Sequence, residues 1–202
     1  MDIKKLIKPN IRSLRAYQAE EIPCRIKLDA NESPYSAGGG KRSAARISKN
    51  LERLNRYPDP QALSLRKLIA KELKVKPQNV LHGNGSDELI YNLIAVFGGP
   101  VIYPVPTFSM YEIISQALNE KKAGVPLDDK FDLDSDAFSR TIKRRNPKLI
   151  FLSSPNNPTG NCFSEDRILK IIRQSKGLVI VDEAYQLFSE KKSFIPLIKK
   201  YK

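Results

Sequence analysis

Four short apolar runs, separated by segments of helical periodicity, constrain the fold of this 202-residue chain more than any other feature. Val101-Ile102-Tyr103 precedes a helical pattern beginning near Ser109. Residues 123–127 precede one over about 134–144, and residues 149–153 precede a helix from Ser164, its N-cap, to Gln174. The run 178–181 closes the series. Strands alternating with helices at this spacing predict an α/β fold with a mostly parallel sheet covered on both faces. Upstream, Asp59-Pro60 reads as an N-cap and first helical residue. The helix that follows carries Leu63, Leu65, Leu68, Ile69 and Leu73 largely on one face, and Pro77 stops it. Val80-Leu81-His82 then leads through Gly83-Asn84-Gly85-Ser86-Asp87-Glu88 into a helix ending at Phe97. Residues 193–201 carry the start of a further helical pattern.

Residues 1–40 read as an arm, with a strand candidate at 25–28 and a flexible Gly38-Gly39-Gly40 connection. Residues 41–202, beginning with a helix-prone stretch over 41–54, read as one domain. Cys24 and Cys162 offer neither a disulfide framework nor metal-type spacing, which fits a reducing cytoplasm. Charge interrupts the N-terminus before a signal-peptide core can form. The best apolar run, 89–97, contains Asn92 and falls short of a membrane span, so a cytoplasmic protein without a membrane partner is expected. The net charge of +13 is the one unusual number. Its clusters, such as Lys143-Arg144-Arg145 and Lys191-Lys192, could mark a nucleic-acid footprint. They come without stacking aromatics or a helix-turn-helix pattern, so a solvated basic surface that attracts anionic, phosphorylated ligands is the preferred reading, with no nucleic-acid partner.

The polar loops that follow the apolar runs carry the chemistry. In open α/β sheets ligands bind outside the carboxyl ends of the strands, so the loop Ser154-Pro155-Asn156-Asn157-Pro158-Thr159-Gly160 and the segment Val181-Asp182-Glu183-Ala184-Tyr185 point at one crevice. A carboxylate at a strand end can hold the protonated nitrogen of a pyridine ring, which acts as an electron sink only in that form. Asn157 and Tyr185 can reach a phenolate oxygen on such a ring. The competing reading of Asp182-Glu183, a magnesium-holding strand end, lacks a matching phosphate loop. In the Gly83 to Glu88 turn, glycines let the backbone approach an anion, exposed amides and the helix dipole favour phosphate, and Ser86 adds a hydroxyl. A plain glycine turn with a capped helix explains the same residues. Phe108 after Pro104-Val105-Pro106-Thr107 can stack on a flat ring or sit in the core. His82 and Cys162 read as structural, and no metal site is expected.

Taken in order, Leu28 to Tyr35, Asn55-Arg56-Tyr57-Pro58-Asp59-Pro60-Gln61, Gly83 to Leu89, Pro106-Thr107-Phe108-Ser109-Met110-Tyr111, Pro155 to Gly160 and Asp182-Glu183-Ala184-Tyr185 resemble the N-terminal part of the histidinol-phosphate aminotransferase family. The resemblance implies an incomplete large domain of fold-type I, the pyridoxal-phosphate transferase fold, with an N-terminal arm. It implies that Gly85, Ser86 and Asp87 hold the cofactor phosphate and that Phe108, where relatives usually carry tyrosine, stacks on the ring. Asn157 and Tyr185 would bind the phenolate oxygen and Asp182 the ring nitrogen. Tyr57 would reach the phosphate of the other subunit's cofactor in a homodimer, and Asn31 and Glu32 would lie near the substrate. The implied reaction moves an amino group between glutamate and a phosphorylated imidazole substrate in histidine biosynthesis.

The family's Schiff-base lysine, its phosphate- and carboxylate-binding arginines and its small domain find no match before Lys202, and Lys191 and Lys192 do not replace that lysine. The expectation is therefore an N-terminal fragment, inactive alone, whose unpaired sheet edge makes it poorly soluble or dependent on a complementing C-terminal half. A threonine-phosphate decarboxylase-type fragment, or a non-catalytic relic that binds pyridoxal phosphate or dimerises, are the alternatives.

Overall fold

The computed structural model describes residues 58–201. The 1–40 arm with Asn31, Glu32 and Cys24, the 41–54 segment, and Tyr57 lie outside the described residues. The described residues fall into two compact units, 58–81 and 82–201.

In the first unit helix α1 spans Leu63–Glu72. Asp59 is not its N-cap. The Asp59 carboxylate accepts hydrogen bonds from the amides of Gln61 (3.0 Å) and Leu63 (2.8 Å), closing a turn in which Ala62 takes a left-handed backbone (φ 45°). One carboxylate satisfies two early amides from outside the helix, so the helix starts later than the Asp-Pro pair predicts. It ends at Leu73, before Pro77, which instead opens a 3-10 turn, Pro77–Asn79. The leucine-bearing face of α1 stays open, with Leu68 67% exposed, while Ala70 is buried.

The second unit is a doubly wound sheet. Helix α2 spans Gly85–Phe97, α3 Met110–Ala117, α4 Ser135–Arg145 and α5 Glu165–Gln174. The strands are β1 Val101–Val105, β2 Lys122–Pro126, β3 Leu149–Ser153 and β4 Leu178–Asp182. All pair in parallel, in the order β2-β1-β3-β4. Val80 to His82 form no strand. The final helical pattern becomes a 3-10 turn, Ile195–Lys199.

Side chains that alternate along each strand build two separate cores. Ile102, Ile150 and Leu152 meet Phe138, Ile142, Ile168 and Ile171 of α4 and α5. Val101, Tyr103, Leu149 and Phe151 meet Ile90, Ile94, Tyr111 and Ile114 of α2 and α3. Every residue of β3 is buried. Those of β4, the edge strand among the described residues, are only partly covered.

Caps and cross-ties fix the helices. The Asp134 side chain accepts from the amides of Asp136 (3.0 Å) and Ala137 (2.9 Å), as an N-cap should. Ser164 occupies the N-cap position of α5, but its side chain makes no capping bond and donates instead to Asp132. Arg167 of α5 closes the same network by pairing with Asp128 and Asp132 and donating to the carbonyl of Leu133 (2.7 Å). The guanidinium holds the Asp128 carboxyl below its ordinary value of 3.8.

One proline shapes the middle of the sheet. Strand β1 pairs with β2 over all five residues, but with β3 only through Val101 and Ile102. The amide of Val101 and the carbonyl of Val105 bond toward β2, and the carbonyl of Pro100 bonds toward β3. Even-numbered residues of β1 therefore face β3, and the next of them is Pro104, which has no N–H to donate. The ladder ends there and the carboxyl ends of β1 and β3 are left free of one another's backbone. The chain also reverses its winding between these strands, so the opening coincides with the topological switch point of the sheet.

Candidate functional site

Ser86, Phe108, Ser153, Asn157, Asp182, Ala184 and Tyr185 line one cleft at the carboxyl ends of the strands. The two motif loops thus meet, together with the first turn of α2 and the segment after β1. Asp182 ends β4 in register with Ser153 of β3. Its Oδ1 accepts from the amide of Ala184 (3.0 Å), and its Oδ2 accepts from the hydroxyl of Tyr111 (2.6 Å). Tyr111 lies on α3 with no exposed surface. Burial pushes its hydroxyl well above the ordinary phenol range, and the charge of Asp182 adds to the effect.

Behind the cleft, three aromatic rings stand in a row. Tyr111 stacks on Phe151 at 4.8 Å and 13°, and meets Phe108 edge-on at 5.7 Å and 86°. Phe108, half-buried, is the member of this row that reaches the cleft.

The Gly83 to Glu88 segment makes a sharp entry into α2. Gly85 has φ +77°, and a Cβ built there would meet nothing within 4 Å, so an approaching ligand group has backbone access. Glu88 reaches back to accept from the amide of Asn84. Ser86 lines the cleft, whereas Gly85 and Asp87 flank it. The Asp87 carboxylate lies near enough to contribute to the rise at Tyr111. An anion held at this turn would therefore meet backbone amides and the Ser86 hydroxyl, and its only interaction with the Asp87 side chain would be repulsive.

The loop after β3 divides its two asparagines between different tasks. Asn156 is buried, and its Oδ1 accepts from Thr107 Oγ1 (2.7 Å). Its Nδ2 donates to the carbonyl of Pro106 (3.1 Å) and to Thr159 Oγ1 (2.8 Å). Its main chain bonds Asn161 and Gly160. Side-chain bonds thus span the gap left between β1 and β3. Asn157 turns into the cleft, and its side chain makes no hydrogen bond among the described residues. Glu183 leaves the cleft, accepting from Ser193 Oγ (2.7 Å) and from the amide of Phe194 (2.6 Å). His82 and Cys162 are not in the lining.

Two residues with large roles here escape sequence reasoning. Both stand in the motif segments, Tyr111 three residues after Phe108 and Asn156 beside Asn157, but nothing in the sequence assigns them a role. The finished arrangement sets a carboxylate at the floor, an aromatic wall, an amide and a phenol at the rim, and a hydroxyl beside a helix N-terminus. It suits a flat, protonated heteroaromatic ring bearing an anionic group.

The family model for aminotransferase class I and II matches residues 25–202. The histidinol-phosphate aminotransferase of Caldanaerobacter subterraneus subsp. tengcongensis is 37% identical over 203 residues, which is 98% of this chain and 57% of that protein. Among solved structures, the histidinol-phosphate aminotransferase of Clostridium acetobutylicum superposes with a TM-score of 0.69 at 26% identity, covering 78% of this chain and 48% of that one. The fold of the Sinorhizobium meliloti histidinol-phosphate aminotransferase, solved in complex with pyridoxal-5'-phosphate, is similar with a TM-score of 0.74 at 23% identity, covering 89% and 51%. The chain spans a little over half the length of the curated relatives it matches.

Proposed function

The chain belongs to the aminotransferase class I and II family, and from that premise we propose that its 82–201 unit is the cofactor-holding part of a pyridoxal-phosphate transaminase of the histidinol-phosphate type. The observation that carries this reading is the Asp182 carboxylate, held by two donors at the floor of a cleft that Phe108, Asn157, Tyr185 and Ser86 also line. The donor set fits the cofactor group by group. When bound, pyridoxal phosphate supplies the electron sink that lets an amino group move between carbon skeletons.

The residues of this chain bind and orient. Asp182 would accept a hydrogen bond from the protonated ring nitrogen, and its negative charge would keep the proton there. Phe108 presents its face to the ring. Asn157 and Tyr185 donate to the ring's phenolate oxygen. Gly85, Ser86 and Asp87 contribute main-chain amides at the start of α2, and Ser86 its hydroxyl, to the phosphate. Outside the described residues, Tyr57 takes the phosphate of a second subunit's cofactor in a homodimer, and Asn31 and Glu32 contact the substrate. The reaction interconverts histidinol phosphate plus 2-oxoglutarate and imidazole-acetol phosphate plus glutamate; the names of the relatives support histidinol phosphate, and the +13 charge favours anionic ligands. No helix among the described residues is long and apolar enough to cross a membrane; the setting in this reading is the cytoplasm.

Among the described residues no lysine lines the cleft. This cleft therefore holds the cofactor reversibly, and an amine that links to it covalently would come from outside the described lining. Titrating the purified chain with pyridoxal phosphate, followed by its absorbance with and without borohydride, tests the reading. Saturable binding that Asp182→Ala removes, with no reducible adduct, is expected. An adduct mapped to one lysine would overturn the reversible reading, and absence of binding would overturn the cofactor reading itself.

A further inference from the structure

The carboxylate at the floor of the cleft is held by a phenol that the cleft does not expose. Tyr111 has no accessible surface and is clamped on three sides: Phe151 stacks on its ring, Phe108 meets it edge-on, and Ser115 Oγ donates to its carbonyl (2.6 Å). Its hydroxyl donates a 2.6 Å hydrogen bond to Asp182 Oδ2, with the Ser153 side chain as a second polar neighbour. The amide of Ala184 occupies Oδ1 of the same carboxylate at 3.0 Å. Among the described residues each oxygen thus has one protein donor, and rotation of the carboxylate would break one of the two bonds. One lone pair on each oxygen remains for a ligand.

We propose that Tyr111 is the positioning residue for Asp182, fixing the carboxylate so that its remaining lone pairs meet the ring nitrogen of bound pyridoxal phosphate. This rests on the reading of Asp182 given above. Because burial keeps the phenol protonated, Tyr111 remains a donor throughout the working pH range. The same ring also supports Phe108, so one buried side chain aligns both the wall and the floor of the cleft. Loss of the hydroxyl would act in one direction by two routes: a freed carboxylate turns away from the ring nitrogen, and one with fewer donors takes the ring's proton more readily.

Tyr111→Phe removes only the hydroxyl and preserves both ring contacts. The full chain is loaded with pyridoxal phosphate labelled with nitrogen-15 in the ring, and the nitrogen resonance is recorded beside binding and urea unfolding. Tyr111→Phe should weaken binding about tenfold, the scale of one hydrogen bond to a charged group. It should also move the resonance toward that of unprotonated pyridine. Asp182→Asn serves as the reference. If Asp182→Asn leaves the resonance unchanged, or the unaltered chain binds no cofactor, the ring-nitrogen reading falls and this proposal with it. If Asp182→Asn shifts the resonance and Tyr111→Phe lowers only stability, Tyr111 is merely structural and this proposal alone is overturned. Should Tyr111→Phe fail to fold, 3,5-difluorotyrosine at position 111 replaces it. That analogue keeps the shape but changes the donor, and an unmoved resonance again overturns the proposal.

Discussion

Asn156 and Asn157 are adjacent in sequence and identical in chemistry, yet the fold uses them in opposite ways. Asn156 is 2% exposed, and its side chain spends its bonds on Thr107, Pro106 and Thr159. Asn157 is half-buried, faces the cleft and makes no side-chain hydrogen bond among the described residues. The difference separates framework from binding surface. A polar group whose partners are all internal holds two loops in place, and one with unused capacity at a cleft wall is available to a ligand. Asp182 combines both conditions, with one oxygen held by the fold's phenol, the other by a local amide, and spare lone pairs on each.

The largest expected effect tests the framework side. Asn156→Ala should cost about 3 kcal/mol in urea unfolding, because three hydrogen bonds go and buried partners are left unsatisfied. A cost below about 1 kcal/mol would erase the contrast with Asn157. Next comes Asp182→Asn, which still offers Tyr111 an acceptor. It should weaken pyridoxal phosphate by about 2 kcal/mol, read by equilibrium titration, while leaving stability within about 1 kcal/mol. Asn157→Ala should lower cofactor affinity by about 1 kcal/mol and stability by less than about 0.5 kcal/mol, and equal losses in both would break the comparison. The smallest effect is a framework change remote from ligand chemistry. The carboxyl of Asp128 titrates below 3.8 in the folded chain, so its pairing with Arg167 stabilises above that pH and fades as pH falls through the depressed value. Asp128→Asn should therefore lower the melting temperature slightly at pH 7 and match the unaltered chain in strong acid.

Much of the fold is legible in the sequence because it is written locally. The runs 123–127 and 149–153 fall within a residue of β2 and β3, and the helical pattern over about 134–144 falls within a residue of α4, which Asp134 caps. Strand order is not legible in this way, since it depends on which distant edges meet. The start of α1 is missed because Ala62, not Asp59, takes the N-cap position with a left-handed backbone that no propensity favours, while the Asp59 carboxylate accepts from the Leu63 amide out of the preceding turn. Ser164 has the right residue type at the right place, but the nearby Asp132 captures its hydroxyl. At the site, Ser86, Phe108, Asn157, Asp182 and Tyr185 converge because each follows a strand or opens a helix on the same side of the sheet. Tyr111 and Asn156 stand inside the motif segments, but their roles are not legible there, since they depend on partners 71 and 49 residues away.

Pro104 gives the cleft an unusual kind of specification. Any other residue at this buried position in β1 would bring an amide hydrogen facing β3, and that hydrogen would need an acceptor. The carbonyls of β3 are the nearest supply, so the two strands would zip further and draw the mouth of the crevice together. Position 104 is thus constrained by an atom it lacks. A substitution scan judged by side-chain size would rank Pro104→Val as mild, while its consequence would be felt in the backbone and read out as a narrower entrance.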